Sequence, residues 1–241
     1  MRALKSFLGR VSCTLDYSLA PPLCPFCRQN LAGPSGLCRD CQQELPQLPE
    51  KRCRLCGGPS EDILTVCRNC AQEGGRPWFL GVTALPYRES VREAIQRYKY
   101  GGQTYLAAYF AAQMAVAWHR YGWPARPQYI VPIPLHWTRL LRRHFNQSEL
   151  LAQLLGKLFA VPSGNALQRV RRTPRQAGLS KESRRENLKQ AFTVLRPEVV
   201  RQRSILLVDD VFTTGNTLGE ATRALLSAGV AEVSVITIAR D

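Results

Sequence analysis

From residue 79 onward, apolar positions alternate between short runs and helical periods. LGVTALPY (80–87) alternates and predicts a strand. RESVREAIQRYKYG then takes helical spacing, with Val91, Ile95 and Tyr98 on one face and Gly101–Gly102 as its stop. TYLAAYFAAQMAVAWHRYG predicts an Ala-rich, largely buried helix, and YIVPIP (129–134) an apolar strand whose prolines suit a strand exit. NQSELLAQLLGKLF (146–159) predicts a helix capped by Asn146 or Ser148. ALQRV (166–170) is a short strand candidate, SILLV (204–208) a second, and EVSVITIAR a third. Between the last two lies TLGEATRALLSAG, a helix closed by Gly229. Strands alternating with helices predict an α/β fold, a mostly parallel sheet flanked by helices on both faces. Ligands of such folds bind beyond the carboxyl ends of the strands.

The first 70 residues follow another rule. Eight of the nine cysteines form four CxxC pairs: Cys24 and Cys27, Cys38 and Cys41, Cys53 and Cys56, Cys67 and Cys70. Ten residues separate the pairs within each half, and the second half repeats the first 29 positions later. Two residues between cysteines allow a tight knuckle that aims both thiolates at one tetrahedral ion, and two knuckles complete a four-cysteine site. Segments this poor in large apolar residues cannot fold by burial alone, so two structural zinc ions are expected. A disulfide framework would need an oxidising compartment. Sequential pairing matches the repeat, and an interleaved brace uses the same residues. Cys13 has no CxxC partner and reads as a buried thiol.

The 241 residues therefore divide into three parts: a basic amphipathic segment (1–20), a double zinc-ribbon module (21–76) and the α/β domain (79–241). In the first part Leu4, Phe7, Leu8 and Val11 share a helical face, which suits a docking helix or a membrane-touching one. It lacks the continuous apolar core of a signal peptide. No apolar run reaches the 18 residues of a membrane span. A cytoplasmic location is expected, with any membrane association made through partners.

The formal net charge is +15, which points to a phosphate-bearing partner. One candidate is local. In ILLVDDVFTTGNT (205–217), Thr213, Thr214, Gly215, Asn216 and Thr217 are placed to surround a phosphate at the positive end of a helix beginning near Thr217. The loop lacks the Gly-Lys-Ser/Thr ending of a Walker A motif. Asp209 and Asp210 precede it, as acids that either cap a helix or bind a second part of the ligand. A second concentration of charge holds Arg169, Arg171, Arg172, Arg175, Lys181, Arg184, Arg185 and Lys189 against Glu182 and Glu186. It reads as a lid over a diphosphate, a strip tracking a nucleic-acid backbone, or a solvated basic face. Tyr98, Tyr100 and Trp137 are candidates for stacking on bases, with half-buried packing as the plainer reading.

Four apolar residues, two acids, then x-x-T-T-G-x-T resembles the phosphoribosyl-pyrophosphate loop of type I phosphoribosyltransferases. The resemblance implies that Asp209 and Asp210 bind the ribose hydroxyls, directly or through magnesium-bound water, while Thr213–Thr217 hold the 5′-phosphate. VPIPLHWTRLLRRHFNQSELLA (131–152), RTPRQAGLSKESRRENLKQAF (172–192), the Lys99–Tyr100 pair and the cysteine-rich front together look like the ComF/GntX family. That family joins an N-terminal zinc ribbon to a type I phosphoribosyltransferase-like domain and is linked to DNA uptake and to the use of DNA as a nutrient.

By position, the resemblance places Arg139, Arg142 and Arg143 near the pyrophosphate, and Arg171, Arg172, Gln176, Arg184 and Asn187 in the lid. The sequence departs at His144, where the family usually has Gly. Thr213 stands where hypoxanthine-type enzymes keep an Asp, so that route of purine salvage is not expected. No other general base is evident, and the catalytic residues stay unassigned. Two readings remain open: a phosphoribosyltransferase acting on an unidentified acceptor, and a non-catalytic adaptor. The adaptor would bind single-stranded DNA and DNA-processing proteins, with its sugar-phosphate site sensing a nucleotide.

Overall fold

A computed structural model describes residues 23–31, 36–44, 48–61, 65–122, 125–135, 137–143, 145–170 and 191–241. Among these, two short helices, α1 (Arg39–Glu44) and α2 (Arg68–Gln72), each carry the last cysteine of a module. Then come β1 (Leu80–Pro86), α3 (Glu89–Tyr100), α4 (Leu106–Tyr121), β2 (Tyr129–Pro132), α5 (Trp137–Arg143) and α6 (Gln147–Phe159). The chain continues through β3 (Leu167–Arg169), β4 (Phe192–Val194), α7 (Pro197–Val200), β5 (Ser204–Phe212), α8 (Asn216–Ser227) and β6 (Glu232–Arg240).

Four strands form one parallel sheet in the order β1-β6-β5-β2. Successive side chains of β5 point to opposite faces, as the pleat requires. Leu206 and Val208 enter one core with Ile95, Tyr98, Phe110, Met114, Leu151 and Leu155 of α3, α4 and α6. Ile205 and Leu207 enter the other, with Leu218, Ala221 and Leu225 of α8. Both faces are covered, so the strands read as nearly continuous apolar runs.

The expected strands and helices occupy their places, with two differences. ALQRV does not join the parallel sheet. Its β3 pairs antiparallel with β4, whose FTV gave no signal of its own, so the strands on either side of residues 171–190 lie side by side. The strand expected over 204–208 also runs on through both acids to Phe212. Asp suits a strand poorly. Here pairing with β6 extends the ladder, Asp209 opposite Thr237 and Phe212 opposite Arg240.

The two cysteine modules pack into different cores. Cys24 and Phe26 join the core of α3, α4 and α6, where Phe26 meets Tyr109 edge-on at 5.6 Å and Arg97 donates to the carbonyls of Pro25 and Phe26. Cys53, Leu55, Cys56 and Cys70 join the core on the opposite face. The second module also covers the outer edge of β1. Gly81 N–H donates to the Arg54 carbonyl (2.7 Å), Arg52 Nη1 donates to the Thr83 carbonyl (3.0 Å), and Thr83 Oγ1 donates to the Cys56 carbonyl (3.1 Å). An edge that would otherwise offer unpaired backbone groups is thereby closed. Gly81 is required for this approach, because a Cβ there would lie 2.2 Å from the Leu55 oxygen.

Candidate functional site

The cysteine sets resolve in sequential order. The sulfurs of Cys24, Cys27, Cys38 and Cys41 lie within 4.8 Å of one another, and so do those of Cys53, Cys56, Cys67 and Cys70. Cys27 and Cys38 sulfurs are 3.5 Å apart and those of Cys56 and Cys67 3.7 Å, close to the roughly 3.8 Å edge of a tetrahedron with zinc–sulfur bonds near 2.3 Å. Backbone N–H groups of Leu55 and Cys67 point at the Cys53 sulfur at 3.4 and 3.3 Å, as thiolate ligands require. None of the eight is in a disulfide. Each set fits one structural zinc ion, with every tetrahedral position taken by protein. Cys13 lies outside the described residues.

At the carboxyl end of the sheet, β5 delivers Asp209 and Asp210, both half-buried. Lys99, in the last turn of α3, places its Nζ 2.8 Å from Asp210 Oδ1. Ser148 Oγ, in the first turn of α6, donates to Asp209 Oδ1 at 3.1 Å, and the Asp210 N–H donates to the same oxygen at 2.9 Å. Burial, followed by the neighbouring Asp210 charge, raises the Asp209 carboxyl to about 7, against the pull of these hydrogen bonds and of Lys99.

Helix α6 is set locally by Asn146, whose side chain accepts from Ser148 N–H at 3.1 Å as the expected N-cap. The Asn146 Nδ2 donates to the Ile133 carbonyl at the exit of β2. Gln147 ties this turn to α3, donating to the Lys99 carbonyl at 3.4 Å, while Tyr98 hydroxyl donates to the Gln147 carbonyl at 2.8 Å. Tyr98 is therefore fully buried packing, not a base platform. Tyr100 is 49% exposed, with the Arg143 guanidinium 4.5 Å over its ring and donating to its hydroxyl at 2.6 Å.

The segment after Phe212 turns at Gly215, whose φ of +76° favours glycine and where a Cβ would lie 2.9 Å from the Phe212 ring. Thr213 is exposed; Thr214, Asn216 and Thr217 are half-buried around the start of α8. The N-cap Gly215 has no side chain, no acid sits in the first turn of α8, and Thr214 Oγ1 accepts from the Asn216 N–H at a long 3.4 Å. Its backbone N–H groups thus keep a positive end for an anion.

Of the expected diphosphate residues, Arg143 joins Tyr100 and Gln147, the chain neighbours of Lys99 and Ser148. Arg139 falls on α5 with its side chain outside the described part, as do the side chains of Arg142 and Trp137. Arg171, Arg172, Gln176, Arg184, Asn187 and His144 also lie outside the described residues. A hollow of about 400 Å³ lined by Gln153, Lys157, Val161 and Ser163 lies toward the amino end of β2, away from the acids. Sequence reasoning missed the contact of Ser148 with Asp209, the pairing of Lys99 with Asp210, and Arg76. For Ser148 and Lys99 the signal was polarity in an otherwise core-facing turn. Arg76, in the GGRPW linker, offered none.

Residues 148–241 match the family described as Phosphoribosyl transferase domain, and residues 16–71 the Double zinc ribbon domain. The chain is 35% identical to Competence protein F of Haemophilus influenzae, over 90% of this chain and 96% of the relative. It is 34% identical to DNA utilization protein YhgH of Escherichia coli K12, over 91% of this chain and 97% of that one. With Competence protein ComFC of Bacillus subtilis it shares 28% identity, over 85% of this chain and 84% of the relative.

Proposed function

The chain belongs to the ComF family, that of competence protein F, ComFC and DNA utilization protein YhgH, and we propose that it binds phosphoribosyl pyrophosphate with magnesium in the service of DNA uptake or use. The observation that carries this reading is the joining of two unlike subsites on one strand end. Asp209 and Asp210 lie near the end of β5, and within a few residues Thr213–Thr217 lead into α8, whose first turn holds no acid. A ligand with vicinal hydroxyls at one end and a phosphate at the other meets both needs. The carboxylates take the hydroxyls or magnesium, and the helix start takes the phosphate. Arg143 stands beside them for a diphosphate, with Arg139, Arg142, Arg171, Arg172, Gln176, Arg184 and Asn187 as further candidates from the resemblance.

Transfer to an acceptor would rest on electrostatic stabilisation of departing pyrophosphate. A second reading is a cytoplasmic adaptor for single-stranded DNA or for DNA-processing proteins, in which the same site senses a nucleotide. It is favoured by the eight cations between 169 and 189, more than one diphosphate needs. The test is calorimetric titration with phosphoribosyl pyrophosphate and magnesium. Wild type binds, and Asp210→Asn loses affinity while keeping two zinc ions; equal affinity overturns the site assignment. A pyrophosphate-release screen over bases and amines then separates enzyme from sensor.

A further inference from the structure

Arg76 leaves the second cysteine module and ends on the phosphate loop. Its side chain is 8% exposed, although it lies in a short linker. Nη1 donates to the Thr214 carbonyl at 2.9 Å and pairs with Glu73, just past α2, at 2.9 Å. The Gly75 N–H next to it holds the Cys70 carbonyl at 2.9 Å. The Arg76 Cζ lies 5.7 Å from the Trp78 ring centroid and 5.5 Å from that of Phe212. Those rings meet edge-on at 6.1 Å, and both touch the space a Cβ on Gly215 would need. Trp78 is in turn fixed to the module by its Nε1, which donates to the Leu55 carbonyl at 2.7 Å.

We propose that Arg76 is a positioning residue through which the second four-cysteine zinc site sets the conformation of the Thr213–Thr217 loop. This inference rests on the reading of that loop as a phosphate cradle. A carbonyl at Thr214 turned toward the ligand would repel a phosphate, and Arg76 holds it away. With its carbonyl fixed from behind, the Thr214–Gly215 peptide has one orientation, which aims the following N–H groups outward. An anion then binds without reorganising the loop. A purely scaffolding zinc site would need no such strut, since Arg54 and Cys56 already dock the module on β1 and Leu55 holds Trp78 just before it.

The experiment uses the full chain as Arg76→Gln and Arg76→Lys. Both variants are expected to keep two zinc ions and native circular dichroism. Amide hydrogen exchange is expected to rise at 213–217 but not along β6. One of the two zinc ions is expected to leave to a chelator faster than in wild type. Affinity for phosphoribosyl pyrophosphate with magnesium is expected to fall about tenfold in Arg76→Gln, the scale of one lost charge-assisted hydrogen bond. Exchange at 213–217 equal to wild type in both folded variants overturns the inference, whatever the ligand does. A wild type that binds no phosphoribosyl pyrophosphate overturns the ligand assignment instead, and the exchange measurement still decides the role of Arg76.

Discussion

Lys99 Nζ lies 2.8 Å from Asp210 Oδ1, with the two side chains only 15% and 14% exposed. A cation from the end of α3 thus neutralises one of the two acids at the end of β5. It does so across the sheet end, where the pair is shielded from bulk water and holds a stronger attraction than a surface bridge.

Removing the cation leaves two carboxylates side by side. Lys99→Met is expected to destabilise the fold by about 2–3 kcal/mol, below the figure for a wholly buried pair because some water contact remains. Adding Asp210→Asn to it should recover most of the loss, because the stranded charge goes too. Urea unfolding of the single and double variants checks both. A double variant as unstable as the single one contradicts the pairing.

Asp209 has its carboxyl raised from 3.8 to about 7. A raised carboxyl favours the fold in its neutral form, so its contribution is complete below the ordinary value near 3.8 and is lost as pH rises through 7. Asp209→Asn should therefore raise Tm little at low pH, increasingly as pH climbs toward 7, and by a constant amount above it. Thermal melts over that range test the sign. For the same reason, magnesium or ligand captured by an ionised Asp209 should release a proton near neutrality, visible as a buffer-dependent heat in calorimetry.

Zinc at the two sites should matter unequally. Cys27 is exposed, whereas Cys56 is 1% exposed and lies in the core behind β1. Cys27→Ser is expected to lower zinc from two ions to one in a chain that still folds. Cys56→Ser is expected to lose the soluble fold, because the module it anchors closes the β1 edge. Zinc content and solubility of the two variants report the difference.

Gly81→Ala puts a methyl 2.2 Å from a backbone oxygen that cannot rotate away. The second module must lift from β1, at a cost of roughly 2–3 kcal/mol. Trp78, held by the Leu55 carbonyl, should report this as a red shift in fluorescence. An unshifted spectrum with unchanged stability rejects the docking geometry.

Much of this was legible in the chain because it depends on near neighbours. Strand alternation, helical spacing, the Asn146 cap and the CxxC knuckles are each fixed by a few adjacent residues. Two points were not. The strand ended too early on paper, at Val208, because Asp209 and Asp210 disfavour a strand in isolation. FTV at 192–194 is too short to signal a strand without Leu167–Arg169 beside it.

The sequence by itself determined the parallel α/β sheet, the eight paired cysteines of the double zinc ribbon and the order of acids and Thr-rich turn along the chain. These follow from local periodicity and spacing. Only the tertiary structure decided that the cysteines pair sequentially, that their modules enter opposite cores, and that β5 carries the acids as strand. The same holds for Lys99 against Asp210, and for Arg76 against Thr214, 138 positions apart. Long-range packing sets those contacts, and it depends on the whole sheet being in place before any of them can form.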